Sequence, residues 1–219
     1  MVMKGRIMGE KNYINLHLLE EIDKKIKTLN KTRDNRINLS ERLKKYEERW
    51  KIIFFFLNFE AVFLIIKGLR IIDSSNDFII ISAFFSIYVI LLQYFISVQN
   101  FRERSFKAHY HQLELEDLIL KLKRLLIKRN DFPRTDNTDG QSLAAYKEIL
   151  NDYQMMLKNN ENHSSVDNRT RMENEDTGKL SKDNSIDNIF LILNILISIG
   201  MLLYIISPYL SNALKTVYS

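Results

Sequence analysis

Read along its length, the chain gathers apolar residues into three long blocks, residues 52–72, 78–98 and 189–210. Each approaches the roughly 20 residues with which an α-helix crosses a hydrocarbon core about 30 Å thick. The second block, FIIISAFFSIYVILLQYFISV, carries no formal charge, and Gln93 is its one strongly polar side chain. The third, IFLILNILISIGMLLYIISPYL, holds Asn194 inside and Pro208 near its end, where a break does a helix little harm. The first is the least regular. Its centre, FFFLNFEAVFLII, sets Asn58 and Glu60 among apolar neighbours, while Lys67 and Arg70 lie near its far end, where long basic side chains can reach the headgroups.

Between the blocks the apolar period is helical. Leu19, Ile22, Ile26 and Leu29, then Leu39, Leu43, Tyr46 and Trp50, predict a helix leading into the first block. The polar stretch NKTRDNRIN between the two groups predicts either a kink or a buried polar layer, and the partner positions do not hold the register of a regular coiled coil. After the second block, Ala108, Leu115, Leu118, Ile119, Leu122, Leu125 and Leu126 share one face of a helix expected to continue that block directly. DFPRTDNTDG, rich in turn formers, predicts a break near residues 131–140. Leu143, Tyr146, Ile149, Leu150, Tyr153 and Leu157 predict a shorter helix, and residues 159–185 read as an extended polar tether.

The expected fold is therefore an all-α membrane protein. A two-helix transmembrane hairpin (residues 52–98) is extended by an N-terminal arm (1–51) and by cytoplasmic helices (99–158), and a tether leads to a third transmembrane helix (189–210). With the hairpin short, the two arms emerge side by side and can pack as an antiparallel pair.

Charge sets the expected orientation. Arg42, Lys44, Lys45, Arg49 and Lys51 precede the first block and Arg102, Arg104 and Lys107 follow the second, whereas Lys67 and Arg70 at the hairpin tip are offset by Asp73 and Asp77. The arms are expected in the cytoplasm and the tip outside. Lys179 and Lys182 before the third block, against Lys215 after it, favour a cytoplasmic N-terminus and an external C-terminus. The net charge of +5 does not argue for nucleic-acid binding, because its basic residues cluster where topology and anionic headgroups demand them. The mean hydropathy of −0.19 hides this segregation.

Catalytic chemistry finds little support in the residues. The chain has no cysteine, which excludes disulfides, a thiol nucleophile and thiolate metal sites. The six glycines form no phosphate-binding loop. His109 and His111 point about 200° apart on a helix and cannot share a metal. ENHSSVD contains Ser, His and Asp but no strand–turn–helix scaffold for a nucleophile. No enzyme activity and no cofactor are expected. Asn162 and Asn168 begin N-x-[ST] triplets, but a cytoplasmic position disfavours glycosylation.

Glu60 is the sharpest single residue, since a charge at bilayer depth costs about 2.5–3.5 kcal/mol or more. Two readings stay open. Glu60 lines an aqueous path between copies of the chain, with Asn58 and Lys67; or it is protonated and hydrogen-bonded to Gln93 or another helix, specifying packing.

The charged helix NKTRDNRINLSERLKKYEERWKI, the hairpin, and VQNFRERSFKAHYHQLELEDLILKL after it resemble the SLATT-domain proteins, bacterial membrane effectors found with anti-phage defence modules. YKEILNDYQMMLKNNENHSSVD is similar to a feature of a subgroup with an added C-terminal span, often encoded beside reverse transcriptases. The resemblance implies a cytoplasmic structural or sensing motif at Glu161, Asn162, His163, Ser164 and Asp167, with a helix C-terminal cap as the alternative. It further implies an inner-membrane effector that forms homo-oligomers in the lipid bilayer and permeabilises it when triggered by a partner, such as a reverse transcriptase or a nucleotide-signal sensor. The alternative is a non-conducting anchor or scaffold that recruits such an enzyme.

Overall fold

The computed structural model describes residues 17–70, 76–131, 136–158, 165–177, 183 and 185–217. All six elements among them are helices: α1 Leu18–Arg70, α2 Asn76–Val98, α3 Phe101–Asp131, α4 Asp136–Lys158, α5 Ser165–Thr177 and α6 Ile186–Val217. They fall into two compact units. One holds α1 as far as Asp34, α3 from His111, and α4; the other holds α1 from Asn35, α2, α3 as far as Tyr110, α5 and α6.

The first unit is built on the predicted stripes. Ile22, Ile26 and Leu29 of α1 meet Leu115, Leu118, Ile119, Leu122 and Leu125 of α3 and Tyr146, Ile149 and Tyr153 of α4 in one buried cluster. Enclosing each aliphatic side chain stabilises by about 1.5–3 kcal/mol, which is what holds three otherwise polar helices together. At the margin Lys121 reaches Asp152 of α4 at 3.3 Å, and the Lys25 ammonium lies 4.0 Å from the centre of the Tyr153 ring. Helix α4 starts at Asp136, inside the stretch expected to break the chain, so Gly140 is helical.

In the second unit α1 contributes Leu43, Tyr46, Trp50, Ile53, Leu57, Ala61 and Leu64 to the core, α2 contributes Phe85, Val89, Leu92 and Ile96, and α6 contributes Leu191 and Ile205. The NKTRDNRIN stretch stays helical, with Asn35 and Arg36 both buried, so of the two outcomes the sequence allows it is the polar layer that forms. Close by, Ser40 and Ser105 exchange hydrogen bonds to each other's backbone carbonyls at 3.0 and 2.8 Å. Small side chains at this point let the α1 and α3 backbones approach.

Helix α6 packs against the hairpin of its own chain. It runs parallel to α1, since Trp50 meets Phe190 at 5.8 Å and Lys67 reaches Tyr209 at 5.5 Å. It runs antiparallel to α2, since Phe95 meets Phe190 at 5.5 Å and Phe78 stacks on Tyr204 at 6.2 Å. The first and third apolar blocks therefore point the same way.

Two helical stretches, one opening at Phe78 and the other Ile186–Tyr209, are long and apolar enough to cross a membrane. The outward faces of α2 and α6, and that of α1 beside them, are apolar and bare: Phe55 is 68 % exposed, Tyr94 71 % and Leu203 64 %. So large a continuous apolar surface is suited to lipid rather than water. Some polar side chains of the apolar blocks turn back onto their own backbones, as lipid favours. Ser86 bonds the Ser82 carbonyl and Asn58 the Phe54 carbonyl. Pro208 withdraws the amide that would have met the Tyr204 carbonyl, and the Ser207 hydroxyl donates to that carbonyl at 3.0 Å.

Helix α2 does not continue directly into α3, contrary to the sequence expectation. It ends at Val98, the last amides make tight bonds (Gln99 to Ile96, 3.1 Å; Asn100 to Ser97, 3.3 Å), and Asn100 takes φ 48° before α3 starts at Phe101. Asn tolerates this left-handed conformation, which costs other side chains about 1–2 kcal/mol. The predicted polar tether is also partly helical, since α5 occupies Ser165–Thr177.

The junction yields a first prediction. Asn100→Gly should leave thermal stability in detergent nearly unchanged, whereas Asn100→Val should lower it by about 1–2 kcal/mol; equal behaviour of the two variants would contradict the left-handed joint.

Candidate functional site

The second unit carries two polar constellations, one just outside the first apolar block and one within it. The outer one is organised by α1, where Asn38, Arg42, Tyr46 and Arg49 fall on one side at helical spacing. Arg42 makes a two-point contact with Asp167 of α5, Nε to Oδ1 at 3.0 Å and Nη2 to Oδ2 at 3.2 Å. The Asn38 amide donates to the Asp167 carbonyl at 3.4 Å. Asp167 is 1 % exposed and Arg42 half-buried, so this pair is what seats α5 on α1. Parallel hydrogen bonds of this kind are roughly twice as strong as neutral ones and fix orientation.

One turn further along α1, the Tyr46 hydroxyl donates to the Asp183 carboxylate and lies 2.7 Å from the Ser185 hydroxyl. Ser185 closes the ring: its amide donates to Asp183 Oδ1 at 3.0 Å, and its hydroxyl accepts from the Asn188 amide at 3.3 Å, capping the start of α6. Tyr46 thus ties α1 to the residues that begin α6. Burial, helped by the bond to Asp183, pushes the Tyr46 hydroxyl up to about 12. Burial also pushes the Asp183 carboxyl up, but donors from Tyr46 and Ser185 outweigh it and hold the group below its usual range. For Arg42, burial opposes the charge, and Asp167 more than compensates, so the guanidinium stays above its ordinary value. Between α1, α5 and the start of α6 lies a polar cavity of about 290 Å³, lined by Arg42, Lys45, Tyr46, Arg49, Asp167 and Asp183 among others.

The inner constellation is Glu60 and its surroundings. Glu60 is 0 % exposed, and its Oε1 accepts from the Ser198 hydroxyl of α6 at 2.6 Å. It lies eight residues beyond Ile52, about 12 Å along the helix axis into the first apolar block. Asn194, also buried, accepts from the Tyr88 hydroxyl of α2 and donates to the Phe190 carbonyl at 2.8 Å. The Ser198–Glu60 and Tyr88–Asn194 bonds together dock α6 onto both helices of the hairpin.

The four intramembrane residues singled out by sequence do not converge within the chain. Glu60 faces α6, not Gln93. Asn58 is exposed on another side of α1. Lys67 sits between the Phe78 and Tyr209 rings, at 5.1 and 5.5 Å. Gln93 lines a separate hollow with Glu47, Trp50 and Arg102. Of the cytoplasmic motif, Asp167 is placed as the buried partner of Arg42, while Glu161, Asn162, His163 and Ser164 lie outside the described residues. Sequence reasoning missed Arg42, Tyr46, Asp183 and Ser198 as site residues. The i, i+4 spacing that sets Arg42 beside Tyr46 of the buried stripe was the available signal for two of them.

Two predictions follow from the outer constellation. Arg42→Ala, which removes the two-point contact from the buried Asp167 carboxylate, should destabilise the second unit by about 3 kcal/mol, at the low end for a buried pair because Arg42 keeps some water contact; Arg42→Ala/Asp167→Ala should recover part of the loss in thermal unfolding. A tyrosine whose hydroxyl is raised on folding contributes stability that is whole below its unfolded value near 10 and is lost as pH rises through about 12. Unfolding titrated from pH 8 to 12 should show that alkaline decline in the wild type and a flatter one in Tyr46→Phe.

The sequence model of the SMODS and SLOG-associating 2TM effector domain, family 5, matches residues 18–214, nearly the whole chain. No curated protein and no solved structure gives a significant match. The matched span takes in both units and all three apolar blocks, with two helices able to cross a membrane among them. The chain is a membrane protein of the SLATT family, belonging to its family 5 of 2TM effector domains.

Proposed function

We propose that this chain is the membrane effector of a bacterial anti-phage defence system, which assembles with further copies in the inner membrane and permeabilises it when a partner or signal acts on its cytoplasmic helices. All three apolar blocks span the bilayer in this reading, with the N-terminus inside and the C-terminus outside. The protein works without catalysis of its own. Stopping growth of the infected cell follows from loss of the membrane barrier.

The observation that carries the proposal is the enclosure of Glu60 by α6. A group this costly in hydrocarbon is retained most readily where it has a task, and intramembrane ionisable residues mark ion and substrate paths. In the single chain Glu60 is fully covered, with Leu57, Ala61 and Leu64 of the apolar core beside it on α1. Conduction therefore takes a rearrangement: α6 leaves Glu60, and the carboxyl turns to a water-filled space shared between copies. The short Ser198 bond and the Asn194–Tyr88 bond hold the closed state.

A second reading rests on α4, where Leu143, Met155 and Leu157 remain exposed on a helix that lies outside the apolar blocks. They offer a docking surface for a recruited cytoplasmic enzyme, such as a reverse transcriptase, or for a nucleotide-signal sensor. On that reading the membrane part is only an anchor.

Ion and dye release from liposomes carrying the purified protein, and from cells during triggering, separates the two. The wild type should release contents once triggered, and Glu60→Leu should release much less while still folding, because leucine packs where the carboxyl is enclosed. Membranes that stay tight in every triggered state, together with loss of partner binding on deleting residues 143–167, would favour the anchor.

A further inference from the structure

Two cavities of the second unit share one residue. The polar cavity outside the first apolar block has Arg49 at its membrane end, and Arg49 also tops a groove of about 350 Å³ between α1 and α6. The groove is apolar apart from Ser198 and is lined by Ile52, Phe56, Ile195 and Ile199, all partly open. We infer that the two form a single phospholipid site: the headgroup phosphate rests on Lys45 and Arg49, and one acyl chain lies in the α1–α6 groove.

The charge distribution fits that occupant. The cavity holds three acidic and three basic side chains, but they are not equivalent. Arg42 is matched by Asp167, and Asp183 is occupied by Tyr46 and Ser185. Lys45 and Arg49 are exposed and have no ion-pair partner among the described residues. Glu41, the remaining carboxylate, lies one turn before Lys45 and eight residues, about 12 Å, before Arg49 along α1, so the cation nearest the apolar groove is clear of it. Arg49 itself is three residues, about 4.5 Å, from Ile52, which is headgroup level for a helix entering there. A free anion would account for the cations but not for the apolar groove continuous with them. A diacyl lipid with a phosphate accounts for both, and a basic cleft beside apolar helices is a recognised way of holding such headgroups.

The groove also borders Ser198, the donor to Glu60. A chain seated there packs on α1 and α6 together and reinforces the docking of α6. The inference rests on residues from 52 onward lying in the bilayer, not on conduction, so a protein that leaves liposomes tight but retains phospholipid still supports it.

The test is native mass spectrometry of the full chain in detergent, titrated with dioleoyl phosphatidylglycerol, with dioleoylglycerol, which lacks the phosphate, and with glycerol phosphate, which lacks the chains. The expected result is one retained phospholipid per chain, with neither fragment retained. Affinity should fall about fivefold for Lys45→Gln or Arg49→Gln and about twenty-five-fold for both. Ile199→Trp, which fills the groove without touching the charges, should also abolish retention. Arg102→Gln/Lys107→Gln, which removes as much charge from α3, should not. Equal retention of dioleoylglycerol, equal competition by glycerol phosphate, or equal loss in the α3 variant would overturn the site.

Discussion

A carboxyl group placed within an apolar layer has to be enclosed or hydrated, and in this chain it is enclosed by a helix from more than a hundred residues downstream. That constraint organises the second unit. Glu60 can sit in the first apolar block only because α6 lies along it with Ser198 at the matching height. α6 can lie there only because it runs parallel to α1, which in turn requires residues 183–188 to be brought back to Tyr46. The tie between Arg42 and Asp167 seats α5 on the same stretch of α1 and so shortens the distance the chain must cover to reach that point. Three polar contacts of different kinds thus depend on one another in sequence, with the apolar core supplying the bulk of the stabilisation and the polar contacts selecting the register.

The same arrangement explains how α6 finds one position against the hairpin. Apolar packing between helices has little direction in lipid, since the tails are as apolar as the side chains, and specificity falls to small residues and interhelical hydrogen bonds. Here those are Ser198 to Glu60 and Tyr88 to Asn194. Both involve α6, whereas the described contacts between α1 and α2 are predominantly apolar. Helix α6 is accordingly the element whose position is most specified by polar contacts.

Much of this fold was legible in the sequence. The buried stripe Ile22, Ile26, Leu29, Leu39, Leu43, Tyr46, Trp50 and the facing stripe on α3 appear in the structure nearly residue for residue, because a 3.6-residue period of apolar side chains has one stable use. The features that were not legible are those where local signal and tertiary contact part company. Helix α5 has almost no apolar face and is seated through one buried aspartate, so its composition reads as a tether. The joint at Asn100 carries no glycine or proline to announce it. Glu60 was conspicuous, but its partner was not, since a serine in an apolar run looks like any other small residue. The pairing of Arg42 with Asp167 joins two positions that only the folded chain brings together.

The joint at Asn100 gives the two helices of the hairpin different mechanical characters. Helix α1 passes from Asn35 to the far end of the apolar block as an unbroken rod, so an axial twist imposed near Ser40 reaches Glu60 as rotation. The other side of the hairpin is interrupted at Asn100, where α2 ends and α3 begins, so it is two helices and not one rod. Within the second unit, then, the carboxyl is borne by the continuous helix, and the side made of two pieces bears none at that depth.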